Sequence, residues 1–198
     1  MPYTIKYLKE IKSFNLNIIG TDYDKNATGR YFCDKFYKVP KGNNKAYIAK
    51  CTEILLKENI SLVIPTSDEE AMALSKKKKF FKEKNITIAC INYEGLKILN
   101  DKSKTYELLR KCGIDTAKWS PIKSKKVLIE KLNFYYNEYG GAVIKPILDR
   151  GARNIFIINK NKNKYFDNKN ITKFNNIKDF LPIINKYNFV GKFLIMQE

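Results

Sequence analysis

Apolar residues in the first half of the chain occur either at helical spacing or in short continuous runs. Helical spacing is found over residues 3–13, with Ile5, Leu8 and Ile11 on one face, and again over residues 45–58. Runs typical of buried strands lie at 15–22, 36–39, 61–65 and 86–90. Strands that alternate with helices in this way predict a parallel, doubly wound α/β sheet.

The pattern changes near Asn100. A helix that begins after Asp101 and ends at Gly113 opens the second half. The following segments are predicted as a strand at 118–122, a helix at 124–139, two strands on either side of a loop at Gly151, a helix at 177–187 and a strand at 192–197. The polar stretch 159–176 is expected to be a mobile connection or the tip of a lid. This order predicts an α+β module with a mostly antiparallel sheet.

The composition is that of a soluble globular protein, with 44% hydrophobic and 29% charged residues. The longest apolar runs have the length of a strand, so no membrane span is expected. The N-terminal residues lack the apolar core of a secretory signal. The four cysteines are scattered, which favours core thiols in a reducing compartment, and we therefore expect a cytoplasmic protein.

A net charge of +18 would suit a polyanion such as nucleic acid. Nearly all basic residues are lysines, however, and lysine, asparagine and isoleucine together are the residues that an AT-rich genome favours. The arginines are Arg30, Arg110, Arg150 and Arg153. Base readout usually depends on arginine, so nucleic acid is not the favoured partner.

The sequence contains no histidine. General acid–base catalysis by histidine, Ser-His-Asp triads and histidine-ligated metals are therefore excluded. Any chemistry must depend on lysine, arginine, carboxylates, backbone N–H groups or bound Mg²⁺.

The stretch GTDYDKNATG at 20–29 follows a predicted strand, at the position where doubly wound folds bind ligands. Asp22 or Asp24 could bind a ligand hydroxyl there. The same residues are equally suited to an Asx-type turn, which is the favoured interpretation.

The stretch IPTSDEE at 64–70 leads from a predicted strand into a helix. Thr66 and Ser67 at the start of that helix could bind an anion or a carboxylate. Asp68 and Glu69 are also ordinary first-turn residues that complement the helix dipole. Taken alone, the stretch favours a helix cap.

The stretch NDKSKTYELLRKCGID at 100–115 places Lys102 in the first turn of a helix, where the helix dipole disfavours a cation. Either an anion compensates Lys102, or Asp101 does so as the cap.

The stretch VIKPILDRGARN at 143–154 places Lys145 at the end of an apolar strand, on the same face as Val143. Its amine must reach solvent or meet a partner. A loop that contains Gly151 between Arg150 and Arg153 follows, and its N–H groups could face phosphate oxygens. A nucleotide clamp is slightly favoured here over an ordinary basic hairpin loop.

In chain order, these four stretches resemble the ATP-grasp superfamily, and more narrowly its carboxylate–amine ligase branch related to the carbamoyl phosphate synthase large subunit. The dipeptide VP at 39–40 and the terminal MQE extend the resemblance through nearly the whole chain. The resemblance implies a Rossmann-like pre-ATP-grasp domain over 1–99, without its first strand. It also implies a linker helix and an ATP-grasp small (lid) subdomain over 100–198, truncated before the metal-binding subdomain.

The resemblance also implies an ATP site in the second domain, in which two lysines contact the phosphates, a loop covers them and the terminal Gln-Glu lies at the adenine. The expected ATP-binding residues are Lys102, Lys145, Arg150, Gly151, Ala152, Arg153, Gln197 and Glu198. The residues expected on the substrate side are Asp22, Thr66, Asp68 and Glu69. No catalytic residue and no metal ligand is expected in this chain.

The loop at 149–154 departs from the family pattern, which is closer to GxGSxG. Asp149 and Asn154 stand at glycine positions, and Ala152 stands at the serine. An Asp149 carboxylate near a triphosphate would be repulsive unless Arg150 or Arg153 neutralises it. Asn154 is the mildest change, because asparagine tolerates left-handed backbone angles.

The implied function is ATP binding, as the N-terminal part of a ligase that activates a carboxylate as an acyl phosphate for attack by an amine. Mg²⁺ is expected only in the complete protein, so the chain alone is expected to be inactive. The alternative is a non-catalytic or split nucleotide-binding subunit that needs a partner chain carrying the missing subdomain. A basic nucleic-acid-binding protein is less favoured.

Overall fold

The computed structural model describes residues 2–149, 153–160 and 170–197, and contacts divide the chain into two compact units, Met1–Lys97 and Ile98–Glu198. The helices are α1 (Pro2–Lys9), α2 (Tyr47–Lys57), α3 (Asp68–Ser75), α4 (Lys78–Lys82), α5 (Tyr93–Leu99), α6 (Lys102–Lys111), α7 (Lys125–Tyr139) and α8 (Ile177–Lys186). The strands are β1 (Ile19–Asp22), β2 (Lys35–Lys38), β3 (Leu62–Val63), β4 (Thr87–Ile88), β5 (Trp119–Pro121), β6 (Gly141–Pro146), β7 (Ile155–Asn159), β8 (Ile171–Phe174) and β9 (Phe193–Gln197). The fold is therefore mixed α/β.

Helix α2 supplies much of the core of the first unit. Its buried residues are Tyr47, Cys51, Ile54 and Leu55, which recur at the spacing of one helix face. They pack with apolar residues of α3, α4 and β4 and with the residues directly after β2 and before β4, namely Leu74, Phe81, Ile88, Val39 and Ile86. The helical spacing predicted for this segment is confirmed.

The strands of the first unit are parallel, as predicted, but they do not form one doubly wound sheet in the part of the chain that the structure describes. Strand β1 pairs with β2, and β3 pairs with β4, as two separate two-stranded ladders. Strands β3 and β4 have two residues each, so their ladder is short. The predicted parallel direction of the strands is confirmed. The prediction of one continuous doubly wound sheet is corrected to two short parallel ladders.

The second unit contains a five-stranded sheet in the order β5-β9-β6-β7-β8. All neighbouring strands are antiparallel except β7 and β8, which are parallel. The mostly antiparallel sheet expected from the sequence is therefore observed.

Helices α7 and α8 bury one face of this sheet. The core cluster combines apolar residues from both helices with alternate residues of the strands, namely Leu128, Leu132, Tyr135, Phe180, Ile184, Ala142, Ile144, Phe156, Ile158 and Ile195. Helix α7 begins where the Ser124 side chain accepts from the Val127 N–H, and it ends at Gly140 with a positive φ of 79°. None of the helices in the described ranges has the length and apolar character needed to cross a membrane.

Strand β8 corrects the interpretation of the polar stretch. Residues 170–176 were expected to belong to a mobile connection or lid tip, but Ile171–Phe174 forms a ladder with β7. The polar composition concealed this strand because its middle residues, Thr172 and Lys173, are exposed. The remainder of the stretch, 161–169, lies outside the described residues.

Candidate functional site

Successive side chains of strand β6 point to opposite faces of the sheet, and they alternate between buried and half-buried. Ala142 and Ile144 are 0% exposed and point into the helical core. Val143 and Lys145 alternate with them and are half-buried. The prediction that Lys145 shares a face with Val143 is confirmed, so its ammonium lies on the side of the sheet away from α7 and α8.

The Lys145 ammonium has a defined partner on α6. Its Nζ donates a hydrogen bond of 2.7 Å to the hydroxyl oxygen of Tyr106. The same Nζ lies 5.1 Å from the centroid of the Tyr106 ring, within the range of a cation–π contact. Lys145 is therefore fixed by both the hydroxyl and the ring of one tyrosine.

The Tyr106 ring is in turn packed against β5. Its centroid lies 5.6 Å from that of Trp119, with the ring planes inclined by 34°. Neither aromatic residue is among those predicted from the sequence. The available signal was spacing, because Tyr106 follows Lys102 by four residues and the two share a helix face.

The strand register places further apolar residues on the face that carries Lys145. Val143 pairs directly with Met196 on β9 and with Ile157 on β7, and Met196 pairs with Trp119 on β5. Directly opposed residues of antiparallel strands share a face. An apolar row therefore crosses four strands beside the lysine.

Lys102 connects the start of α6 to the loop after β6. Its backbone N–H donates to the Ile147 carbonyl oxygen at 3.2 Å, and its Nζ donates to the Asp149 carbonyl oxygen at 2.6 Å. The predicted cap is confirmed, because the Asp101 side chain accepts from the Lys104 N–H. The Lys102 cation thus meets carbonyl dipoles, and the compensating anion stays a prediction.

The loop after β6 is closed across its ends by side chains. The Asn154 amide nitrogen donates to the Asp149 carboxylate at 3.3 Å, and Asn154 has a φ of 53°. The left-handed conformation that asparagine was expected to accommodate is confirmed. The side chain of Arg153 is exposed at this loop.

Four predicted ATP-binding residues lie outside the described residues, namely Arg150, Gly151, Ala152 and Glu198. Gln197 is the last residue of β9, and its backbone pairs with Ala142 on β6. Lys102 lies at the start of α6 and Lys145 contacts Tyr106 of the same helix, and the ATP-binding roles of all eight residues stay predictions.

In the first unit, Asp22 forms the turn that the sequence favoured. Its carboxylate accepts from the Asp24 N–H at 2.9 Å, and the Asp24 carboxylate accepts from the Asn26 N–H at 2.9 Å. These are two successive Asx-type turns. A role for Asp22 towards a ligand is not tested by this geometry.

The stretch 64–70 forms a capping box at the start of α3. The Ser67 side chain accepts from the Glu70 N–H, and the Glu70 carboxylate accepts from the N–H groups of Thr66 and Ser67. Asp68 is exposed and Glu69 is half-buried in the first turn. The cap interpretation is confirmed, and the substrate-side role of Thr66, Asp68 and Glu69 stays a prediction.

A carboxylate with a shifted pKa lies elsewhere in the first unit. The hydrogen bond from Lys35, at 2.8 Å, and then that from the Tyr37 hydroxyl, at 2.5 Å, hold the pKa of Glu58 below its ordinary value. The Glu58 side chain is only 5% exposed. This cluster joins β2 to the end of α2 and is structural.

Within the described ranges, no three or more cysteine or carboxylate side chains are grouped so that they could hold a metal ion.

Comparison with known proteins identifies the fold. Residues 3–89 match the PylC-like, N-terminal domain family. The biotin carboxylase domain of 2-oxoglutarate carboxylase from Hydrogenobacter thermophilus, in complex with ADP and bicarbonate, covers 99% of the chain with 16% identity and a TM-score of 0.60. N5-carboxyaminoimidazole synthetase from Staphylococcus aureus, complexed with ADP, covers 100% with 11% identity and a TM-score of 0.61. The expected resemblance is confirmed at the level of the fold, which the chain shares with about two fifths of each of these two proteins.

A third structure, the biotin carboxylase–β,γ-ATP complex from Campylobacter jejuni, covers 98% of the chain with 14% identity and a TM-score of 0.61. The chain spans 41–44% of the length of these three proteins. At these identities the likeness establishes a shared fold. No match was found among curated protein sequences.

Proposed function

We propose that this chain binds ATP on the sheet of its second unit, as the N-terminal part of an ATP-grasp ligase. The complete ligase would activate a carboxylate as an acyl phosphate, which an amine then attacks. The observation that carries the proposal is Lys145, a half-buried cation whose hydrogen-bond partner is the neutral hydroxyl of Tyr106. A hydroxyl partner adds no negative charge that would oppose an anionic ligand.

Lys102 adds a second positive charge next to the same helix face. It lies one turn before Tyr106, at the N-terminal end of α6, where the helix dipole also favours an anion. Two lysines and a helix terminus together suit the dispersed negative charge of a triphosphate. Their role would be electrostatic stabilisation, and neither lysine needs to act as a nucleophile or a base.

The apolar row beside Lys145 supports a nucleoside rather than a free phosphate. The half-buried Val143 and Met196, beside the buried Ile157, offer strand-borne apolar side chains against which a flat base can pack. Asp149, whose carbonyl oxygen accepts from the Lys102 ammonium, would then lie towards the phosphates.

The test is calorimetric titration of ATP into the wild-type chain and into the Lys145→Ala variant at low salt. Lys118→Ala is the matched control, because the Lys118 ammonium also donates to a tyrosine hydroxyl, that of Tyr139, at 2.8 Å. Loss of a charged hydrogen-bonding group is expected to weaken ATP binding about ten- to a hundredfold in Lys145→Ala. Lys118→Ala should bind ATP like the wild type.

Equal ATP affinity in Lys145→Ala and the wild type would contradict the proposal. Undetectable ATP binding, together with DNA binding that weakens steeply with added salt, would instead favour a nucleic-acid-binding protein.

A further inference from the structure

Lys145 is held by a group that leaves its charge intact. In the part of the chain that the structure describes, none of the lysine–carboxylate ion pairs includes Lys145. The Tyr106 hydroxyl accepts one of the three N–H bonds of the ammonium, so two remain for a ligand. A carboxylate at the position of Tyr106 would fix the same side chain but would oppose anion binding.

The Tyr106 side chain is itself restrained. Its ring packs on Trp119 of β5, while its backbone belongs to α6. The hydroxyl therefore has a fixed direction relative to the sheet face. A long lysine side chain loses rotamer freedom when it binds a ligand, and a restrained partner imposes that loss before the ligand arrives.

We propose that Tyr106 is a positioning residue for Lys145. Its hydroxyl and ring hold the ammonium over the sheet face in the orientation that meets the nucleotide phosphates, without neutralising it. Tyr106 acts through Lys145 and needs no contact with the nucleotide. The inference rests on the proposed ATP binding, and it adds a residue that the motifs of the sequence did not indicate.

A double-mutant cycle on the full 198-residue chain tests the inference, with ATP affinity measured by calorimetry. The variants are Tyr106→Phe, Lys145→Ala and the double substitution. Tyr106→Phe removes the hydroxyl and keeps the ring, so emission from Trp119, the only tryptophan, should stay unchanged. Tyr139→Phe is the matched control, because Tyr139 holds Lys118 with a hydroxyl at 2.8 Å and a ring centroid at 5.4 Å.

Tyr106→Phe is expected to weaken ATP binding about three- to tenfold, the effect of one hydrogen bond to a charged group. Tyr139→Phe should leave ATP affinity unchanged, although both variants lose a similar tyrosine–lysine contact. In the Lys145→Ala background, Tyr106→Phe should have no further effect on affinity. Thermal unfolding of the two phenylalanine variants checks that each is folded.

The possible failures are distinguishable. If Lys145→Ala weakens ATP binding but Tyr106→Phe binds like the wild type, the positioning role is wrong and the ATP site stands. If Tyr106→Phe weakens binding equally with and without Lys145, Tyr106 contacts the nucleotide directly and the positioning role is again wrong. If the wild-type chain does not bind ATP, or Lys145→Ala binds it as well as the wild type, the proposed function and the inference both fail.

Discussion

The ammonium of Lys102 donates a hydrogen bond of 2.6 Å to the carbonyl oxygen of Asp149. One side chain therefore fastens the first turn of α6 to the loop that follows β6. The same helix carries Tyr106, which holds Lys145 on β6. The two proposed phosphate-binding lysines are thus fixed by contacts within one unit of the protein.

Substitution of Lys102 by alanine should destabilise the second unit as well as weaken ATP binding. The lost hydrogen bonds from the ammonium to the loop are expected to lower the free energy of unfolding by about 1–2 kcal/mol in urea titrations. Lys104→Ala is the control, because the Lys104 side chain is 54% exposed and its ammonium lies 3.6 Å from the Asp101 carboxylate. An equal loss of stability in both variants would show that the contact with the loop is unimportant.

Gly42 should be intolerant of any side chain. A Cβ added there would lie 2.6 Å from the Glu70 backbone nitrogen and 2.7 Å from the Glu69 carbonyl carbon, at the start of α3. Gly42→Ala is therefore expected to lower the free energy of unfolding by about 1–3 kcal/mol, because backbone must move. At Gly29 an added Cβ would lie 3.8 Å from its nearest neighbour, Ile5. Gly29→Ala should therefore lower the free energy of unfolding clearly less than Gly42→Ala in the same urea titration.

Stability should fall in acid because of Glu58. Its folded pKa is lowered by Lys35 and Tyr37 from an ordinary value of 4.5, so its contribution is complete above that value. The contribution is lost as the pH falls through the lowered folded pKa. Glu58→Gln should flatten the profile of unfolding free energy against pH between about pH 5 and pH 3.

The control for that profile is Glu53→Gln. Glu53 pairs with Lys50 at 2.8 Å, but its side chain is 60% exposed. Exposed pairs contribute little, so Glu53→Gln should keep the wild-type acid dependence. A Glu58→Gln profile as steep as the wild type would place the acid sensitivity elsewhere.

The fold could be predicted from the sequence where one face of an element is buried. The buried stripe of α2 and the alternation along β6 carry strong periodic signals, and both are confirmed. Strand β8 has no such alternation of buried and exposed residues, and its place in the sheet comes from its backbone pairing with β7. The division of the first unit into two ladders likewise depends on pairing distances that no local pattern encodes.

The candidate site was predictable only in part, for a similar reason. Lys145 was identified because a cation at the end of an apolar strand conflicts with its surroundings. Tyr106 and Trp119 are ordinary residues for their local sequence. Their contacts join residues that lie 13 and 39 positions apart in the chain. Such contacts become visible only when α6, β5 and β6 are placed together.

The most direct test of ATP binding at Lys145 is lysine acylation in the native chain, followed by mass spectrometry, with and without saturating ATP. Bound phosphates should shield the ammonium groups of Lys102 and Lys145 from the reagent. Lys118, which is paired with Tyr139, should be labelled equally in both samples. The account predicts reduced labelling at Lys145 with ATP, and unchanged labelling at Lys145 would contradict it.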